Sequence, residues 1–212
     1  MNGTPLVSVI MPNHNGARFI EKSIDSALRQ SMPDLELLIV DDASTDESPS
    51  LLEAALRRDS RAALLRCGQC VGAAQARNLA IERARGEFLA FLDSDDLWHR
   101  EKLARQLSAI REDDFCYTSY FLLRRDGISR GIYRVPPRAD YRSLLRENVI
   151  GCSSVLLRRT ALGHHRMDSR FFHEDYVLWL TLLREGKTAV GIPEPLMGYR
   201  AGGRSQDKLS AA

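Results

Sequence analysis

The chain has 212 residues, with 30 lysines and arginines against 28 aspartates and glutamates and a formal charge of +2. That balance excludes a strongly basic nucleic-acid binder and an acidic solvating tail. With 44% hydrophobic and 27% charged residues it is not a disordered chain, and its length suits one domain that buries a full core without staples.

The N-terminus lacks the basic start, apolar run and small-residue cleavage site of a secretory signal. No apolar run approaches the roughly 20 residues of a membrane-spanning helix. A cytoplasmic protein is expected, one that can sit peripherally on the inner face of the membrane through a partner.

Residues 6–11 form a β-branched run between Pro5 and Pro12 and predict a buried strand. Apolar residues fall on one helical face over 17–30, and Pro33 stops that segment. A second buried strand is expected at 35–40, then a polar turn at 41–46, a helix at 51–58 and a short strand at 62–65. The Ala- and Arg-rich stretch 72–85 reads as a helix ending at Gly86. Residues 88–92 read as a fourth strand and 97–111 as a helix. Four strand–helix alternations argue for an α/β fold whose mostly parallel central sheet carries helices on both faces.

The second half changes character and suggests a small antiparallel extension. It predicts strands at 115–123 and near Ile132, a loop at Pro136-Pro137 and a short helix at 141–147. A strand at 153–157, a helix at 176–184 and two short strands at 188–192 and 197–200 follow. The whole reads as a single domain over 1–212: a half of about 1–111, a second half of about 112–205, and a frayed tail at 206–212.

Cys67 and Cys70 form a C-x-x-C, which suits a redox pair or half of a zinc site. Cys116 and Cys152 do not form a matching second pair, so incidental small residues are the simpler reading. His164-His165 falls in an expected surface loop, and Trp98 and Trp179 suit core positions.

Ligands of open parallel sheets bind beyond the carboxyl ends of the strands. Two acidic clusters lie there: Asp41-Asp42 after the second strand and Asp93-Ser94-Asp95-Asp96 after the fourth. Three carboxylates within four residues repel one another, and Mg²⁺ or Mn²⁺ would relieve that repulsion. Acids that complement a helix N-terminus are the plainer alternative. A third pair, Glu174-Asp175, follows two aromatics at a predicted helix start, where partial desolvation suits a general base.

Five segments together resemble the family 2 glycosyltransferases of the GT-A (Rossmann-like) fold. They are 7–15, 36–46, 72–78 with Arg77-Asn78, 91–98 with the D-x-D region, and Glu174-Asp175 with Leu178-Trp179-Leu180, in the family's order. The resemblance implies transfer of a sugar, with inversion, from a nucleotide-sugar such as a UDP-sugar to a hydroxyl acceptor that is a saccharide or lipid-linked. Cell-surface polysaccharide or glycoconjugate synthesis is the expected setting, and a homodimer is compatible with it.

By position, the resemblance implies that Pro12, His14 and Asn15 line the nucleotide site and that Asp42, with Asp41, bonds the base. Arg77 would reach nucleotide or diphosphate, and Asp93 with Ser94 the donor. Asp95 and Asp96 would hold a divalent metal (Mn²⁺ or Mg²⁺) and diphosphate. Asp175 would be the base, Glu174 would orient it or bind acceptor, and Cys152, Ser153, His173 and Trp179 are acceptor-side candidates.

Cys70 stands where the family commonly has Asn, and Arg100 where it has Pro. The late histidine of a Y-R-x-H pattern is replaced by Gly202, with Arg200 and Arg204 nearby to meet a diphosphate or lie on the surface. That replacement keeps a second reading open, a non-catalytic scaffold that binds nucleotide-sugar or a partner protein.

Overall fold

A computed structural model of the chain describes residues 3–124 and 126–200. The first half runs β1 (Val7–Asn13), α1 (Ile20–Leu28), β2 (Leu35–Asp41), α2 (Ser48–Arg58), β3 (Ala62–Arg66), α3 (Ala73–Arg83) and β4 (Phe88–Phe91). The second half runs β5 (Leu97–Trp98), α4 (Lys102–Ile110), β6 (Phe115–Leu123), β7 (Ser129–Tyr133), β8 (Arg138–Ala139), α5 (Tyr141–Arg146), β9 (Leu156–Arg158), α6 (Arg159–Leu162), α7 (Glu174–Arg184) and β10 (Ala189–Arg200).

One mixed sheet carries both halves, in the order β3-β2-β1-β4-β9-β6-β10-β5. The run β3-β2-β1-β4 is parallel, and β6 and β10 are parallel to each other. Antiparallel pairing enters through β9, which joins β4 to β6, and through β5, β7 and β8. Every residue of β1 and β2 is buried. That is why their sequences are near-continuous apolar runs instead of alternating ones. Val7, Val9 and Met11 pack into one core layer, while Ile10 packs into the other with Phe91, Tyr117 and Trp179.

The structure corrects several expected boundaries. The start of the helix expected at 97–111 is instead strand β5, because Trp98 and Leu97 pair with Met197 and Gly198. Trp98 is also tied by its ring Nε1, which donates to the Ser153 carbonyl at 2.9 Å. The two strands expected at 188–192 and 197–200 are one strand, β10, whose register against β6 shifts around Pro195. Prolines are tolerated in a sheet at such irregularities. The strand expected from 153 begins at Leu156, after a 3₁₀ turn at Cys152–Ser154. β8 and α6 carry too few residues to show a period. Among the described residues no helix is long and apolar enough to cross a membrane. The tail expected at 206–212 lies outside them.

Gly86 shows how tightly the first half of this frame is sewn. Its N–H donates to Ser8 Oγ, which in turn donates to Glu36 Oε1 at 2.7 Å. A Cβ on Gly86 would sit 2.5 Å from the Ser8 backbone nitrogen, in the central strand. Gly86→Ala is therefore expected to cost about 2 kcal/mol of stability by overpacking. A urea midpoint equal to that of the parent would show that β1 yields at this point.

Candidate active site

The loops at the carboxyl ends of β1 and β2 interlock. Asn13, buried at the end of β1, donates to Asp41 Oδ1 and to Ser44 Oγ, both at 3.2 Å. Asn15 takes a left-handed conformation (φ 53°), which asparagine tolerates better than most residues. Its Oδ1 accepts from the Thr45 and Asp46 backbone N–H groups. His14 Nδ1 sits 2.6 Å from the Asp42 carbonyl oxygen. Asp42 is itself 2% exposed, and its carboxylate accepts from the Val71 and Gly72 N–H groups at 2.7 and 2.8 Å. Asp42 thus pins the entry to α3.

The second cluster follows β4. The Asp93 N–H donates to Ser153 Oγ at 3.0 Å, and Ser23 on α1 donates to the Ser94 and Asp96 carbonyls. Asp96 is 1% exposed. Its Oδ1 accepts from the Arg200 N–H at 2.9 Å, while Oδ2 is buried with no partner among the described residues. Burial, with Asp95 and Asp93 close by, pushes the Asp96 carboxyl far above the usual carboxylate range. Burial and then Asp93 push Asp95 up to about 6. Arg200 is neither a surface arginine nor aimed away from the loop. It is buried, donates from Nε to the Asp95 carbonyl at 2.8 Å and stacks over the Phe19 ring. Gly202 and Arg204 lie outside the described residues.

Glu174 and Asp175 form the first turn of α7. Arg77, on α3, reaches across to both clusters: it donates to Glu174 Oε1 at 2.6 Å and to Asp93 Oδ1 at 2.5 Å. Burial works against its charge, but Asp93 and Glu174 hold the guanidinium protonated even more firmly than usual. Asp175 is only partly exposed, and burial pushes its carboxyl up to about 6 against the pull of Arg77. Tyr176 anchors this turn by donating to the Leu144 carbonyl of α5.

A cavity of about 520 Å³ opens between these elements. Of the residues singled out by sequence, it is lined by Arg77, Asp93, Asp96, Glu174 and Asp175, and by Cys152, Ser153 and His173. The Asp41–Asp42 cluster, with His14 and Asn15, lies at the ends of β1 and β2 and does not line this cavity. Two positions expected to meet a ligand are buried instead. Trp179 is 0% exposed, packed against Phe91 and Phe115 at 5.6 and 5.9 Å, so it belongs to the core and not to an acceptor platform. Pro12 is buried inside β1 opposite Val40. Arg77 lines the cavity with both terminal nitrogens bonded to carboxylates, Glu174 and Asp93. Sequence reasoning passed over Tyr120, Tyr199 and Arg146, which also line the cavity. Tyr120 stacks on Tyr133 and meets Tyr199 edge-on.

A parallel half-sheet with carboxylates at its carboxyl edge, extended through antiparallel joins into a second set of strands beside a cavity, is the build of a GT-A transferase. The chain belongs to glycosyl transferase family 2, whose family description matches residues 8–165. It is 40% identical over 202 residues to the putative teichuronic acid biosynthesis glycosyltransferase TuaG of Bacillus subtilis, covering 94% of this chain and 80% of that one. It is 41% identical over 184 residues to WfgD of Escherichia coli, a UDP-Glc:α-D-GlcNAc-diphosphoundecaprenol β-1,3-glucosyltransferase, covering 85% of this chain and 70% of that one.

Among solved structures it resembles S. aureus TarS 1–349 in complex with UDP, with a TM-score of 0.76 and 21% identity over 94% of this chain. It also resembles the mannosyltransferase PcManGT of Pyrobaculum calidifontis in complex with GDP-Man and Mn²⁺, with a TM-score of 0.73 and 22% identity over 96% of this chain. The chain spans about three fifths of either solved chain, 61% and 59%. At those identities the likeness establishes the GT-A fold.

Proposed function

We propose that this glycosyltransferase moves a sugar from a UDP-sugar to a hydroxyl of a lipid-linked saccharide, with inversion at the anomeric carbon. The observation that carries the reading is one cavity shared by Asp175, from the first turn of α7, and by Asp93 and Asp96, from the end of β4. Asp175 removes the proton of the incoming hydroxyl. Its carboxyl, held at about 6, is ionised at neutral pH yet basic enough to do so. Glu174, locked to Arg77, orients that turn and does not take the proton itself. The half of about 1–111 takes the donor, with His14, Asp41 and Asp42 on the nucleobase side, and the half of about 112–205 takes the acceptor. UDP as the nucleotide and a lipid diphosphate acceptor are carried over from what WfgD is named for and from the UDP bound to TarS.

Metal dependence belongs to the same proposal. The buried, unpartnered Asp96 Oδ2 and the raised Asp95 carboxyl are oxygen ligands short of a positive charge, which suits Mn²⁺ or Mg²⁺. Asp95 and Asp96 would hold the ion, with Asp93 beside them. When bound, such a cation supplies Lewis-acid stabilisation of a diphosphate leaving group.

Calorimetric titration with UDP-, GDP- and dTDP-sugars in Mn²⁺ tests the reading. UDP-sugar binding that weakens at least tenfold in EDTA is expected, and binding to none of the three sinks it. A non-catalytic scaffold would explain the glycine in place of the late histidine, but it gives no reason to keep Asp175 in a site that resists its charge. Turnover with any acceptor excludes it.

A further inference from the structure

We propose that His14, Asp42 and Cys70 form a site for a soft divalent cation, zinc by its ligand set, whose occupancy blocks the nucleobase side of the donor site. One ligand atom from each of the three lies within 4.8 Å of the others. They come from three separate segments, so no single helix end or acidic run produces the cluster.

The hydrogen bonds define which atoms are available. The Asp42 carbonyl oxygen only accepts, so the His14 Nδ1 facing it at 2.6 Å carries the proton. The lone pair is therefore on Nε2. Asn15 agrees: its Oδ1 is taken by backbone N–H groups, which turns its Nδ2 toward His14 Nε2 at 3.2 Å. An imidazole that donates one nitrogen to a carbonyl and offers the other is the usual arrangement of a metal-ligating histidine. Coordination would displace one amide contact.

Cys70 Sγ donates to Asp42 Oδ2 at 3.3 Å. Zinc bonds of about 2.3 Å to sulfur and about 2.0 Å to oxygen at a near-tetrahedral angle place those two atoms about 3.3–3.5 Å apart. The cation would thus replace the thiol proton between atoms already spaced for it, and that proton goes to solvent. Asp42 keeps its bonds to Val71 and Gly72, which hold the carboxylate in place. Water completes an open, three-ligand site. Nitrogen and sulfur donors favour zinc, whereas the all-oxygen set at Asp93–Asp96 favours Mg²⁺ or Mn²⁺. The two sites therefore divide cations by softness.

The blocking effect rests on the reading that Asp42 and His14 face the nucleobase, whereas zinc binding itself does not. Zinc alone is titrated into the full chain with Mg²⁺ in excess and no nucleotide, in buffers of different ionisation enthalpy. The parent is expected to bind one zinc, release about one proton per ion and bind at least tenfold tighter than Cys70→Ser. The Val71 and Gly72 N–H bonds to Asp42 do not involve the thiol, so this variant is expected to keep the loop and its UDP affinity. Cadmium should show a thiolate charge-transfer band in the parent that Cys70→Ser lacks. Equal zinc affinity in the two proteins, or no thiolate band, overturns the site. UDP titration with saturating zinc should then lose at least tenfold in affinity in the parent only. Zinc bound through Cys70 with UDP affinity unchanged overturns the blocking role.

Discussion

Asp175→Asn is expected to bind UDP-sugar as the parent does and to lose transfer by about 10²- to 10⁴-fold, the usual worth of a positioned general base. Asparagine fills the same space at the first turn of α7 but cannot accept the acceptor's proton. Calorimetry of donor binding beside single-turnover transfer separates the two effects. Transfer at the parent's rate would remove Asp175 as base. The pH profile gives a second reading. A base must be ionised, so transfer in the parent should rise with pH through about 6 and level off above it. One unit below that midpoint about a tenth of the carboxyl is ionised, so a roughly tenfold fall at pH 5 is expected. With Mn²⁺ saturating, which keeps Asp95 ionised, the Asp175→Asn residual activity should lack this limb.

The same substitution is expected to stabilise the protein, which a purely structural aspartate would not allow. The folded carboxyl titrates at about 6 against an ordinary 3.8. A group whose folded value is raised supports the fold fully below the ordinary value and loses that support as pH rises through the folded one. At pH 8 the parent therefore carries an unfavourable charge that asparagine lacks. A gain on the order of 1–2 kcal/mol at pH 8, shrinking toward pH 4, is expected from urea melts. A site that trades stability for a reactive group has this signature.

The strands of the first half and their carboxylates were legible because the physics there is local. β1, β2 and β4 are apolar runs closed by polar turns, and being buried on both faces they need no partner information to be recognised. The acids follow those runs directly. What was not legible depends on contacts far apart in sequence. Trp98 joins a strand because β10 reaches it from a hundred residues away. The stretch 193–196 falls between two expected strands, yet pairing with β6 absorbs it as register shifts within one strand. Trp179 follows Glu174-Asp175 closely enough to suggest a sugar platform, but the helical turn between them points it into the core against Phe91 and Phe115. Tyr120, Tyr199 and Arg146 come from three elements that only the folded sheet brings around one cavity.

Arg77 is the sharpest case of this kind, and its removal should have the largest structural effect. Nothing local in Ala76-Arg77-Asn78 says that the guanidinium bridges two carboxylates, one 16 residues ahead and one 97. Its side chain is 7% exposed, so Arg77→Met leaves Asp93 and Glu174 facing each other and takes from Asp175 the cation that pulls its carboxyl down. Breaking a buried pair by deleting one partner costs about 3–5 kcal/mol, and a loss of that size is expected in urea melts. Activity should fall as well, because Glu174 no longer fixes the turn that carries Asp175. The diagnostic readout is the acid limb of the pH profile. Arg77 is the main influence holding the Asp175 carboxyl down against burial, so without it the limb should move above 6. Arg77→Lys keeps a charge but lacks the planar fork that reaches both carboxylates at once, and it should fall between parent and methionine in stability and in midpoint. An acid limb that stays at about 6 in both variants would detach Arg77 from the tuning of Asp175 and leave it as a strut between β4 and α7.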